Sequence, residues 1–306
     1  MDLVRLASWL RCPTCGEDLN AVPPLVLRCP RGHAVDANKR GYATLLGPGT
    51  RVTGDTADML AARGAFLERG HYAPLVDELI RGIRDAVPGH EGSVPDAAPK
   101  VADGLRIVDA GCGTGHYLHR VLSSFPGATG LAADLSPAAV AIAVRGRDDV
   151  DGLVADTWAA LPLRDGAADV ILDVFAPRNL PEFHRALSAG GHVAIVAAGP
   201  GHLAELRAAG RAVGVQEDKR ERILEAAEPL FDAVSETRVH RVLSLTVSDV
   251  ESLLAMGPSA HHPRDPHAED LPSPLDISVR PDATRQDVTI DVMIHVLRRR
   301  DRRAPA

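Results

Sequence analysis

Two groups of residues in this chain have the types and spacing to do chemistry. The first is Cys12-Pro13-Thr14-Cys15, followed after thirteen residues by Cys29 and, after three more, by His33. Each short-spaced pair, Cys12 with Cys15 and Cys29 with His33, fits a tight turn, and a hairpin returning through Val26 and Leu27 brings the two turns together. Three thiolates and one imidazole then close a tetrahedron around zinc and leave no position for water, so the ion would be structural rather than catalytic. The second group is Ile107-Val108-Asp109-Ala110-Gly111-Cys112-Gly113-Thr114-Gly115. A β-branched apolar run ends in an acid, and alternating glycines precede the helical pattern that starts at His116, which reads as strand, tight turn, helix. Glycine at alternate positions admits positive φ and lets a ligand approach atoms that a Cβ would cover. A nucleotide-like cofactor suits such a loop.

The spacing decides between two kinds of cofactor. A dinucleotide fingerprint reads GxGxxG and sets a pyrophosphate on a helix N-terminus, whereas this loop reads GxGxG with Asp109 just ahead of it. It resembles the first motif of class I S-adenosylmethionine methyltransferases, in which the loop accommodates the amino-acid part of a cofactor that carries no phosphate. Two later acids extend the site. Residues 130–136 form a second strand ending in Asp134, one strand-helix-strand unit downstream, where a carboxylate can accept both ribose hydroxyls. A third strand, 152–155, ends at Asp156, an acceptor for the adenine amino group. Asp109, Gly111, Gly113, Gly115, His116, Asp134, Leu135 and Asp156 are thus the candidate cofactor-binding residues. Cys112 lacks a neighbouring base and reads as a small apolar filler.

These residues need strands whose tips share one edge. Asp169 to Val174 is a fourth buried strand, 181–187 a short helix, and His192 to Ala198 a fifth strand. Phe231 to Thr246 and Thr289 to Leu297 read as a last, antiparallel pair. The expected fold is α/β: an open, Rossmann-like seven-stranded sheet with helices on both faces and a small zinc ribbon ahead of it. Between the two, Thr53 to Asp55 offers a cap for a helix over 57–70, and a second helix runs from His71 to Ala86 with Leu75, Leu79, Ile80 and Ile83 as its apolar stripe. Residues 88–100, rich in Pro, Gly and Ala, read as a linker. The division expected is a ribbon over 1–46, connecting helices and linker over 47–100, and a catalytic domain over 101–306.

Composition excludes more than it identifies. The 306 residues are 45% apolar and 25% charged, which is ordinary for a globular protein, and the formal net charge of −7 argues against general adhesion to nucleic acid. Basic residues gather at the amino end, where residues 1–51 carry seven Lys and Arg against four Asp and Glu, and again near Arg298. With Lys39, Arg40 and Tyr42 behind the last zinc ligand, that end could meet RNA through phosphates and one stacked base; the alternative is that Tyr42 packs on the ribbon. No apolar run approaches the ~20 residues of a membrane helix and the amino end lacks a signal-peptide core, so no membrane partner and a cytoplasmic location are expected. His261, His262, Asp265 and His267 lie in a proline-rich stretch that reads as a loop rather than a second metal site.

Several motifs together carry a narrower likeness. The ribbon, GHYAPL (70–75), VDAGCGTGHYL (108–118), DVFAPRN (173–179), PEFHRAL (181–187) and GPGHLAEL (199–206) resemble the RlmA family of bacterial 23S rRNA guanine-N1 methyltransferases. PLRDGAA (162–168) and MGPSA (256–260) look most like its tylosin-resistance branch, linked to macrolide resistance. The resemblance implies S-adenosylmethionine and zinc as cofactors and a 23S rRNA hairpin loop as partner, and it allows a homodimer. It also implies a task for the fourth strand's tip: guanine N1 carries a proton that must leave before its lone pair can attack a methyl group. Asp173 is the candidate base, or alternatively only positions the guanine, and Asn179 would orient the base edge through its amide. The family usually has Asn at Asp173 and Trp at His261. Two other readings remain open: a methyltransferase of a small metabolite, and a non-catalytic zinc-ribbon protein that binds the cofactor as a regulator.

Overall fold

The computed structural model describes residues 2–47, 50, 54–87, 104–216, 218–257 and 284–301. The linker 88–100, Thr53, residues 258–260 of the MGPSA motif and the stretch holding His261, His262, Asp265 and His267 lie outside the described residues.

From β5 (Arg106–Ala110) the chain steps outward through β6 (Thr129–Asp134) and β7 (Val150–Val154), then crosses back to the far side of β5 to lay down β8 (Ala168–Val174) and β9 (Leu187–Ala198). These five strands are parallel. β10 (Phe231–Thr246) and β11 (Arg285–Arg299) form the expected antiparallel pair, with β11 inserted between β9 and β10. Connections leave β5 and β8 toward opposite faces of the sheet, and a crevice opens beyond their carboxyl ends at such a switch point. All the functional acids read from the sequence in this domain lie at or near that edge.

Side-chain alternation divides the interior into two cores. Ile107 and Leu172 join Leu79 and Ile83 of α3 (Ala73–Ala86), Leu118 of α4 (His116–Ser123) and Val140 of α5 (Pro137–Ala143) on one face. Val108 and Ile171 join Leu6 of α1 (Leu3–Trp9), Phe183 of α6 (Leu180–Ala186) and Ile223 of α8 (Lys219–Ala227) on the other. Helix starts follow local chemistry. Ser136 caps α5, its hydroxyl accepting from the Ala139 amide, with Pro137 at the first helical position. The cap of α2 (Ala57–Glu68) is Thr56 rather than the residues just before it; its hydroxyl accepts from the Met59 amide at 3.3 Å. Helix α2 leans on α9 (Val247–Ala255), whose capping box pairs Thr246 with Asp249.

The amino-terminal segment continues this sheet. β1 (Asn20–Val22), β2 (Val26–Arg28), β3 (Ala34–Asn38) and β4 (Tyr42–Thr44) form an antiparallel meander, and β4 then pairs in parallel with β7, Tyr42 opposite Gly152. The seven expected strands run consecutively, and these four extend the sheet to eleven. Two contacts fix the junction. Buried Asp151 accepts from Arg5 Nε at 2.7 Å, Arg5 Nη2 at 3.0 Å and Trp9 Nε1 at 3.1 Å, tying α1 to β7. Gly152 has no room for a side chain, since a Cβ there would stand 2.5 Å from Val140 and 2.6 Å from Tyr42. Tyr42 is therefore half-buried in packing, while Lys39 and Arg40 stay exposed in the β3–β4 turn.

Candidate cofactor site and zinc site

Each zinc turn ends on a glycine in left-handed backbone, Gly16 at φ 76° and Gly32 at φ 89°, which lets the chain reverse directly behind its ligands. Among the described residues Cys12, Cys15, Cys29 and His33 form the one group with metal-ligand character, their ligand atoms all within 4.8 Å of one another. Cys15 and Cys29 sulfurs are 3.6 Å apart, and His33 Nδ1 is 3.4 Å from Cys29 Sγ and 3.7 Å from Cys12 Sγ. A zinc tetrahedron with ordinary Zn–S and Zn–N bonds has edges of about 3.6 to 3.8 Å. The four residues fit the ion, and no pair is close enough for a disulfide.

In the glycine loop, Gly111, Gly113 and Gly115 all have positive φ. All three are also tightly enclosed. A Cβ on Gly111 would meet Ala176 at 2.5 Å, one on Gly113 the Arg63 guanidinium at 2.5 Å, and one on Gly115 the Ala143 Cβ at 2.8 Å. The Gly111 and Cys112 amides both donate to the Ala133 carbonyl, at 2.8 and 3.0 Å, which holds the loop against the end of β6. Asp134 closes the loop from β6: its oxygens accept from the Gly113 amide at 2.9 Å and the Ser136 amide at 2.8 Å. Leu135 follows it half-buried, as does His116 at the start of α4. Asp156, one strand further, accepts from the Trp158 amide at 2.9 Å, and Trp158 itself stands 68% exposed. The structure thus brings the expected cofactor residues to one edge. Cys112 is buried, and burial pushes its thiol well above the ordinary range, in keeping with an inert filler.

Asp109 and Asp173 sit on adjacent strands and point to opposite faces. Asp109 pairs with Leu172 and shares its face, that of α3 and α4; Asp173 shares the face of Ile171 and α8. Both are almost wholly buried, and neither carboxyl has a side-chain hydrogen-bond partner. Burial, with the charges of Asp134 and Asp173 nearby, pushes the Asp109 carboxyl up to about 8. Burial raises Asp173 to about 7, against the opposing pull of Arg178, the Ala176 amide and Lys219. Asp173 therefore lies beneath the crevice surface, roofed by the loop that begins at Phe175. Asn179 spends its amide hydrogens on the carbonyls of Thr157 and Ala159, at 2.9 and 2.8 Å. It braces the loop carrying Trp158, which leaves only its carbonyl oxygen to meet a base.

Four further residues were not singled out as site residues from the sequence. Phe175 has φ 54°, rare for a non-glycine residue, and stacks on His202 with ring centres 5.9 Å apart; the Tyr72 ring is 6.3 Å from it, tilted by 44°. His202 is placed by Asp291 of β11, a buried carboxylate that accepts from Arg238 and from the Gly201 amide, and against which a Cβ on Gly199 or Gly201 would collide. Burial lowers His202 to about 4 and keeps it neutral. The fourth is Arg63 of α2, over Gly113. The only sequence signal for three of these lay in GHYAPL, DVFAPRN and GPGHLAEL, segments too far apart for spacing to connect. A cavity of about 280 Å³ beside β9, lined by Lys219, Arg238, Met293 and His295, adjoins the acceptor side. Another of about 500 Å³, lined by Arg11, Arg106 and Arg164, opens at the opposite edge of the strands and is remote from this chemistry.

The family pattern described as "Methyltransferase domain" matches residues 107–191. A Streptomyces fradiae 23S rRNA (guanine(748)-N(1))-methyltransferase is 42% identical over 261 residues, covering 85% of this chain and 88% of its own. A Micromonospora griseorubida protein, named provisionally as a 23S rRNA (guanine-N(1)-)-methyltransferase, is 37% identical over 96% of this chain and 98% of its own. A Bacillus subtilis protein with the same provisional name is 32% identical over 65% and 68% of the two chains. Similarity of that extent takes in ribbon, connecting helices and sheet together, and the chain belongs to the family of 23S rRNA (guanine-N1)-methyltransferases.

Proposed function

We propose that this protein transfers a methyl group to N1 of a guanine in a hairpin loop of 23S rRNA. The reading is carried by one juxtaposition: a nucleoside-type crevice, made by the glycine loop, Asp134 and Asp156, lies beside a strand tip whose carboxyl titrates near neutrality. S-adenosylmethionine supplies an electrophilic methyl group when bound there. The chain's own residues do the rest. Asp134 would hold the ribose hydroxyls, Asp156 the adenine amino group, and the glycine loop the amino-acid end. Exposed Trp158 and Phe175, on the same edge, offer aromatic faces to unpaired bases. The ribbon, over 1–46, brings the RNA to that edge.

Asp173 accepts the N1 proton in this reading. An ordinary carboxylate is too weak a base for N1; one held near 7 by burial is better matched. Its carboxyl is covered by the strained Phe175 turn, so the substrate has to displace that turn to reach it. The test is methyl transfer from labelled cofactor to 23S rRNA, with mass mapping of the labelled nucleotide and the pH–rate profile of Asp173→Ala. We expect label on guanine N1, a wild-type rate that rises through about pH 7, and a slow variant lacking that rise. Full activity with an unchanged profile would leave Asp173 a positioning role at most; label entering small metabolites instead of RNA would sink the substrate assignment.

A further inference from the structure

Helix α2 belongs to the connecting segment, outside residues 107–191, yet it supplies a side chain that lies directly on the glycine loop. Arg63 Nη1 and Cδ would stand 2.5 and 3.3 Å from a Cβ on Gly113, so the guanidinium rests where only a glycine hydrogen leaves space. Four contacts hold the segment there. Arg63 pairs with Asp55 and donates from Nη2 to the Met256 carbonyl at 2.8 Å, beyond the end of α9. The Ser136 hydroxyl donates to the Asp55 carbonyl at 3.0 Å, and Gly54 passes so near Ser136 that a Cβ would meet its backbone nitrogen at 2.9 Å. The stretch from Gly54 to Arg63 is thereby clamped across the β6 tip, the glycine loop and α9.

The charges around it are one-sided. Asp109, Asp134 and Asp55 converge on this end of the crevice, and Arg63 is the cation whose field reaches Asp134, Cys112 and Tyr117. Its side chain keeps 25% exposure, and its pairing with Asp55 and Met256 leaves donors of the five-donor fork unused. An amino-acid ligand in this loop brings a carboxylate that would otherwise face only carboxylates. We infer that Arg63 binds the α-carboxylate of the cofactor's methionine part, with Asp55 orienting the guanidinium and facing the α-ammonium. Arg63 is then the residue that makes the site select an amino-acid-bearing sulfonium over its decarboxylated counterpart. The inference rests on the cofactor assignment made above and not on the identity of the RNA.

The test is calorimetric binding, without RNA, of S-adenosylhomocysteine and of its decarboxylated analogue to the full-length zinc-loaded protein and to Arg63→Met. We expect the wild type to favour the carboxylate-bearing ligand by roughly 10- to 100-fold, the span of a hydrogen bond to a charged group. Arg63→Met should bind both ligands alike, at the wild-type level for the decarboxylated analogue, and Arg63→Lys should recover part of the preference. Retained affinity for the analogue also shows that the variant has folded. Equal loss of both ligands, or a preference that survives in Arg63→Met, would overturn the inference while leaving rRNA methylation standing. Failure of the wild type to bind either ligand would overturn both.

Discussion

Asp109 shows at the scale of one residue why position at a strand end says more than residue type. The sequence places it correctly before the glycine loop, and the fold then buries it without a side-chain partner, so that it holds its proton up to about pH 8. The sign of the consequence is fixed. A carboxyl whose folded value lies above its unfolded value of 3.8 binds more protons folded than unfolded between those limits, so this group costs stability as pH rises from about 4 to 8. The ligand-free protein should therefore show a thermal midpoint that falls over that window, and Asp109→Asn should flatten the fall. The acids were legible because acids at the tips of parallel strands have few structural reasons to be there. Their facing was not legible: one residue of register decides it, and Asp173 on β8 lies one position past the partner of Asp109.

Among the elements, the strands of the catalytic sheet were the easiest to read, since β7 and β8 are almost continuous buried runs and Gly166 and Pro177 bracket β8. Helix α1 was missed. It has seven residues, and its amphipathic stripe is completed only by the β7 edge on which it lies. Helices α7 (Ala204–Ala208), α8 and α9 were missed for a similar reason: none exceeds nine residues, and tertiary packing rather than periodicity sets their bounds. The pin between α1 and β7 can be measured. Asp151→Ala strands a two-pronged Arg5 and the buried Trp9 indole N–H, and should lower unfolding free energy by about 2 to 4 kcal/mol. Denaturant midpoints at constant m-value check this, and a loss below about 1 kcal/mol would mean that water replaces the carboxylate freely.

The whole molecule departs most from a chain of separable parts. The ribbon and the methyltransferase sheet share eleven strands and one of the two cores, because Tyr42–Thr44 hydrogen-bonds alongside Gly152–Val154. Spacing announced the zinc ligands and the cofactor loop separately, and nothing in it announced that β4 would join β7. That pairing requires a glycine at 152, because the Cβ of Tyr42, more than a hundred positions away, lies where a side chain would start. Net charge of −7 and a basic amino end make sense on this scale too, since a local patch carried on a rigid sheet can present RNA to the crevice without general adhesion.

Where β4 lies, β7 would otherwise be the outer strand of the sheet, and its five residues are all buried. The opposite edge, β10, carries Glu236, Arg238, His240 and Arg241 toward its open side or along it, the charges that discourage strands of other molecules from pairing there. Val150-Asp151-Gly152-Leu153-Val154 has one charge, and that one is turned inward to Arg5. A metal held by Cys12, Cys15, Cys29 and His33 would brace the turn that leads into β3, the strand paired with β4, and so would help keep a sticky edge from meeting its like. Stripping the metal with a chelator, or replacing Cys12 with Ser, should produce concentration-dependent light scattering with growth of intermolecular β-signal. A clear, monodisperse zinc-free solution would assign the edge some other guard.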